Sequence, residues 1–133
     1  MIVVDASVAL KWVVAEDGSE EAAFLSEEDL CAPDLLPVEC ANALWVKARR
    51  GELSAQEAQD GVNLLATAPI DWIPCRSLVQ SAIELASTLD HPVYDCLYLA
   101  AALEREATLV TGDRRFSEAA SGAFPGVLRL LKS

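Results

Sequence analysis

Basic side chains are scarce. Ten Lys and Arg stand against 21 Asp and Glu, so the formal net charge is −11 with the single His neutral. That balance excludes a generic basic coat for nucleic acid. Long apolar runs are also missing: the longest uncharged stretches, 61–70 and 119–128, hold ten residues each and contain Gly or Pro. A membrane helix needs about 20 apolar residues, so none is expected. The apolar start of the chain is interrupted by Asp5 and Lys11, with no basic leader or small-residue cleavage site behind it, and the expected location is the cytoplasm. Closely spaced cysteines are absent too. Cys31, Cys40, Cys75 and Cys96 are 9, 35 and 21 positions apart, which fits no structural zinc motif and favours four small buried hydrophobes over a disulfide.

What is present suits one folded domain over residues 1–133. The 53% of hydrophobic residues can offset backbone ordering, and 23% of charged residues is too little for a disordered chain. No internal repeat or low-complexity segment is visible.

Met1-Ile2-Val3-Val4 reads as a β-branched strand that ends at Asp5. Ser7 stands where a helix cap belongs, before Val8, Leu10, Trp12 and Val13. Further helices are expected over Ser19–Ser26, Leu36–Arg50, Ser54–Ala66, Ser77–Ser87 and Val93–Glu106. The Ser54/Glu57 pair forms a capping box, Pro37 is tolerated in a first turn, and Gly51 is a stop. Val38, Ala41, Leu44 and Trp45 make an apolar stripe taken to be buried. Extended segments are expected at 30–32, 70–73, 108–111 and 127–130, with a short helix before the last. Strands alternating with helices indicate an α/β fold: a central parallel sheet covered by helices on both faces.

In such sheets chemistry gathers beyond the carboxyl ends of the strands. Asp5 leaves the first strand there, and Asp113 follows the strand 108–111 at the same end. The acids at 16, 17, 20, 21 and 27–29 lie in one polar stretch and read as a solvated face. Glu39 and Asp95 differ, because each opens a helix amid apolar neighbours. Singly, each is equally an ordinary first-turn acid. Together with Asp5 and Asp113 they make a crowded set, since two carboxylates 4 Å apart repel by about 4 kcal/mol at an effective dielectric of 20. Such a group must bind protons or a cation. Oxygen ligands favour Mg²⁺ or Mn²⁺ over zinc, and His91, in a Pro turn, reads as structural.

Four segments carry a resemblance: 3–12 (VVDASVALKW), Glu39 with Asn42, 94–100 (YDCLYLA) and 111–116 (TGDRRF). In type and order they resemble the PIN-domain ribonucleases, and in size the VapC-type toxins of prokaryotic toxin–antitoxin pairs. The likeness spans about residues 1–117. It implies a three-layer α/β/α sandwich, Mg²⁺- or Mn²⁺-dependent endonucleolytic cleavage of RNA leaving 5′-phosphate and 3′-hydroxyl ends, a homodimer, and a VapB-like antitoxin as partner. Position by position, Asp5, Glu39, Asp95 and Asp113 match the family's catalytic and metal-binding acids. Ser7 and Thr111 match its supporting polar residues, and Asn42 a frequent neighbour of the Glu.

Lys11, Arg49, Arg50, Arg114 and Arg115 are candidates for contacting RNA at the cleft rim, with Lys11, Arg114 and Arg115 foremost. Trp45 is expected in the core, Trp12 there or in a docking groove, and Tyr94 and Tyr98 either stack a base or pack. Two other classes stay open: a non-catalytic acidic module that binds a structural ion, and a phosphoryl-transfer enzyme of similar architecture. For the latter, Ser7 occupies the place where a haloacid-dehalogenase-like enzyme would carry a second Asp.

Overall fold

The computed structural model describes residues 1–131, so the last two residues of the expected 1–133 domain lie outside the described residues. The elements run β1 (Ile2–Val4), α1 (Ala6–Ala9), α2 (Ser19–Leu25), β2 (Leu30–Pro33), α3 (Leu36–Arg49), α4 (Ala55–Ala66), β3 (Asp71–Ile73), α5 (Val79–Leu89), α6 (Val93–Arg105), β4 (Thr108–Thr111), α7 (Arg114–Ala123) and β5 (Leu128–Leu130). Single 3-10 turns occupy Leu10–Trp12 and Cys75–Ser77.

All five strands are parallel, in the order β3-β2-β1-β4-β5. Val3 sits between Cys31 of β2 and Leu109 of β4. Successive strand residues point to opposite faces, yet Val3, Val4, Cys31, Ala32, Leu109 and Val110 are all fully buried. Both faces of the central strands are therefore covered, as the expected α/β/α layering requires. Helix α6 packs across β1, β2 and β4, and α5 lies against α6. Of the cysteines, Cys31, Cys40 and Cys96 are buried, Cys75 is half-buried, and all four are free thiols. Among the described residues no helix is long and apolar enough to cross a membrane.

Local chemistry sets the element ends. The capping box of α4 forms in full: Glu57 N donates to Ser54 Oγ and Ser54 N to Glu57 Oε1, both at 3.0 Å. At α1 the cap is Asp5, whose extended backbone continues the strand and whose Oδ1 accepts from Val8 N at 3.2 Å; Ser7, the expected cap, lies inside the helix. Ser77 does not open a helix either, because its hydroxyl donates back to the Pro74 carbonyl at 2.7 Å and α5 starts only at Val79.

The α3 stripe is also corrected. The helix buries Leu36, Cys40 and Leu44, one residue per turn, while Val38 is 63% and Trp45 55% exposed. Trp45 instead lies under the Arg49 guanidinium, 5.4 Å from its ring centroid. Trp12 is partly buried and donates its indole N–H to the Ala22 carbonyl at 2.7 Å, tying the turn after α1 to α2. Leu44→Ala should accordingly lower unfolding free energy by about 2–5 kcal/mol, whereas Trp45→Ala should change it by less than about 1 kcal/mol. Urea unfolding of both variants checks which face is core, and equal losses would contradict the orientation of α3.

Candidate functional site

The strand order determines where a site forms. From β1 the chain builds outward through β2 and β3, then returns to place β4 on the other side of β1. The crevice beyond the carboxyl ends of β1 and β4 is thus the point where the order reverses, the usual ligand position in open parallel sheets. Asp5 follows β1, and Thr111, Gly112 and Asp113 follow β4. Helix α3 starts after β2, so its first turn, with Glu39, lies at the same edge. Helix α6 runs back to the start of β4, so its first turn, with Asp95, returns there too.

Asp5 is the most enclosed acid, 7% exposed. Its Oδ1 accepts from Ser7 Oγ at 2.5 Å as well as from Val8 N, and its Oδ2 accepts from the buried Thr111 hydroxyl. Gly112 N donates to Ser7 Oγ at 2.8 Å, and Asp113 N to Thr111 Oγ1 at 3.1 Å. A Cβ at Gly112 would stand 3.1 Å from Ser7 Oγ, so a side chain just after β4 would press on the hydroxyl that bonds Asp5. Burial pushes the Asp5 carboxyl up to about 6, against the lowering effect of the Ser7 and Thr111 hydroxyls and the Val8 amide; the negative charge of Asp95 raises it further.

Glu39 is half-buried. Its Oε1 accepts from the hydroxyl of Tyr98 at 2.5 Å, and Tyr98 itself is almost fully buried. Burial raises the Glu39 carboxyl above its ordinary range, the Tyr98 hydroxyl opposes this, and the charge of Asp95 adds to it. Burial first, then Glu39 and Asp5, keeps the Tyr98 phenol protonated. The same order of causes pushes the Cys40 thiol up to about 12. Asp95, in the first turn of α6, accepts from His91 Nε2 at 2.6 Å.

Asp5, Glu39 and Asp95 therefore share one electrostatic neighbourhood. Asp113 stands on the same rim but turns into α7, capping it by accepting from Phe116 N at 3.1 Å. Among the described residues, no three His, Cys, Asp or Glu side chains close around a common point tightly enough to hold an ion as they stand. Each carboxylate is held by a nearby donor instead. The donor chemistry nevertheless suits a hard divalent cation: three carboxylates, two of them raised by burial and further by the charge of the third, with Tyr98 and His91 each engaging one oxygen only.

The remaining candidates fall in different places. Ser7 and Thr111 both bond Asp5. Asn42 is exposed on α3, three residues beyond Glu39. Lys11 is drawn away, its Nζ 3.5 Å from Glu16 Oε1 and donating to the Asp17 carbonyl. Arg114 and Arg115 are exposed beside Asp113. Arg49 and Arg50 sit at the far end of α3, about 15 Å along its axis from Glu39, and so leave the rim. Tyr94 is exposed and Tyr98 is not. Sequence reasoning did not find the Tyr98–Glu39 bond, whose partners are 59 positions apart. The His91–Asp95 bond had a signal in its i, i+4 spacing.

The Asp5 shift carries a stability consequence. The folded carboxyl titrates near 6 and the reference carboxyl near 3.8, so between these values the folded state binds more protons and stability falls as pH rises through them. Asp5→Asn should stabilise the metal-free protein at pH 7.5 by about 2–3 kcal/mol, with a smaller gain at pH 4.5. Urea unfolding in EDTA at the two pH values checks this; a gain that is absent at pH 7.5 would contradict it.

The sequence profile of the PIN domain matches residues 2–122. Over 127 residues the chain is 34% identical to Ribonuclease VapC3 of Pyrobaculum aerophilum, covering 88% of this chain and 92% of that relative. Over 125 residues it is 30% identical to Ribonuclease VapC9 of Mycobacterium tuberculosis, covering 94% of this chain and 95% of the relative. Among solved structures, a toxin–antitoxin complex from Klebsiella pneumoniae contains a chain of the same fold, with a TM-score of 0.72 at 12% identity over 100% of this chain and 99% of that one. Profile and relatives agree along nearly the whole length, and the chain belongs to the PIN-domain family.

Proposed function

We propose that this chain is an endoribonuclease dependent on Mg²⁺, with Mn²⁺ as substitute, and that it acts as the toxin of a type II toxin–antitoxin pair. The observation that carries the reading is the meeting of Asp5, Glu39 and Asp95 at the reversal point of the sheet. Relatives named as VapC ribonucleases support the reaction class, and the likeness to a toxin–antitoxin complex supports a VapB-like antitoxin as partner.

Asp5, Glu39 and Asp95 would hold the cation, with Asp113 serving a second ion or a water. A bound divalent ion supplies positive charge for the phosphoryl oxygens of RNA and eases the ionisation of water. The chain's own residues supply position. Ser7, Thr111 and the Val8 amide hold Asp5 at the end of β1, and the Tyr98 hydroxyl orients Glu39. In the metal-free protein a proton rests on Asp5 below about pH 6, so this carboxylate would hold a cation more weakly as the pH falls. Arg114 and Arg115, exposed beside Asp113, would meet the RNA backbone, whose attraction to a chain of net charge −11 has to be local. Lys11 joins them only by leaving Glu16. Asn42 would assist beside Glu39. The acidic surface suits an antitoxin that brings Arg to the carboxylates, and the chain is read as a cytoplasmic homodimer with one nuclease domain over 1–133.

Asp5→Asn and Asp95→Asn should each lower Mg²⁺-dependent cleavage of a labelled RNA by about 10²–10³-fold, with folding retained in the circular dichroism spectrum. Asp113→Asn should keep its helix cap, since Asn caps as well as Asp, and lose activity without losing stability. Cleavage by Asp5→Asn at the wild-type rate, or wild-type cleavage that continues in EDTA, would sink the assigned metal site, and a wild type that cleaves no RNA in Mg²⁺ would favour a non-catalytic acidic module.

A further inference from the structure

The only histidine of the chain is held from three sides. Its backbone N–H donates to the Ala86 carbonyl at 3.1 Å, closing the end of α5 after the left-handed Asp90. Pro92 follows at once and starts α6. The ring therefore hangs in a three-residue connection, Asp90–Pro92, with little backbone freedom. It packs on Phe116, with ring centroids 4.7 Å apart at a tilt of 37°, and Phe116 is itself buried in α7. On its other side Nε2 reaches one helical turn forward to Asp95 Oδ2 at 2.6 Å.

An exposed i, i+4 side-chain pair is ordinarily mobile and contributes little. This one is different in construction. The ring is 19% exposed and anchored on a buried aromatic, whereas the Asp95 side chain is 35% exposed and lies in the first turn of α6. The less mobile partner is the imidazole, so it positions the carboxylate and not the reverse. The bracing extends to the fourth acid: Asp113 caps α7 through the amide of Phe116, the residue that carries the His91 ring.

We infer that His91, braced by Phe116, is a positioning residue of the nuclease site: it holds Asp95 Oδ2 and so presents the other carboxylate oxygen to the cation. A carboxylate only accepts hydrogen bonds, so Nε2 carries the proton of this contact. Outer partners of this kind fix the direction of a metal-binding carboxylate, and their loss typically weakens metal binding 10–100-fold. The inference rests on the cation-binding reading above, and its test separates the two.

Mn²⁺ binding to the full chain, followed by electron paramagnetic resonance, is compared for wild type, His91→Leu, His91→Gln and Asp95→Asn, with RNA cleavage kinetics alongside. His91→Leu should weaken Mn²⁺ by about 10–100-fold and lower kcat while KM for RNA stays unchanged. His91→Gln, whose amide reaches to the place of Nε2, should restore most of the affinity. If His91→Leu binds Mn²⁺ as wild type does while Asp95→Asn does not, the role of His91 is overturned and the site reading stands. If Asp95→Asn also binds as wild type, the site reading falls and takes this inference with it. Should His91→Leu not fold, His91→Asn replaces it: its shorter amide does not reach Asp95, and wild-type Mn²⁺ affinity in that variant would equally overturn the role.

Discussion

A carboxylate placed at the end of a fully buried central strand is the constraint around which this structure is arranged. Asp5 follows Val4, which has no solvent contact, and retains almost none itself. Charging an acid there is unfavourable unless donors meet it. Three do, and they come from two directions: Ser7 and the Val8 amide from the helix that Asp5 caps, and Thr111 from the neighbouring strand. The adjacency of β1 and β4 thus has an electrostatic as well as a topological role. It brings a threonine hydroxyl from residue 111 to an acid at residue 5.

The other acids are held by the same means. Glu39 has the phenol of Tyr98, Asp95 has the imidazole of His91, and Asp113 has the amide of Phe116. Tyr98 and Asp95 are three residues apart on α6, so one helix supports Glu39 and contributes an acid of its own. The first turns of α3 and α6 converge because one helix leaves the sheet and the other returns to it at the carboxyl edge. Negative charge is gathered by the fold and restrained by local donors.

Much of this was legible from residue order. The β-branched runs at 2–4 and 108–111, the first followed directly by Asp5 and the second by Gly112 and then Asp113, located β1, β4 and the edge where chemistry collects. The Ser54/Glu57 box placed the start of α4. What failed did so for identifiable reasons. Asp5 and Ser7 are both good capping residues, and only the tertiary need to solvate a buried acid selects Asp5. On α3 the residues Val38, Ala41 and Trp45 alternate with Leu36, Cys40 and Leu44, so apolar periodicity supports two faces and cannot choose between them. Lys11 looks free beside the site until the following loop brings Glu16 and Asp17 to it. The bond from Tyr98 to Glu39 joins two helices far apart in the chain, and no local pattern announces it.

The ladder joining β1 and β4 pairs Val3 with Leu109 and Val4 with Val110, immediately before the residues that grip one another across it. Asp5 and Thr111 cannot drift apart without unzipping the middle of the sheet, the slowest and most global opening available to such a fold. The floor of the cleft is therefore stationary. Any adjustment at the site falls to its walls, the first turns of α3 and α6, and not to the strands beneath them.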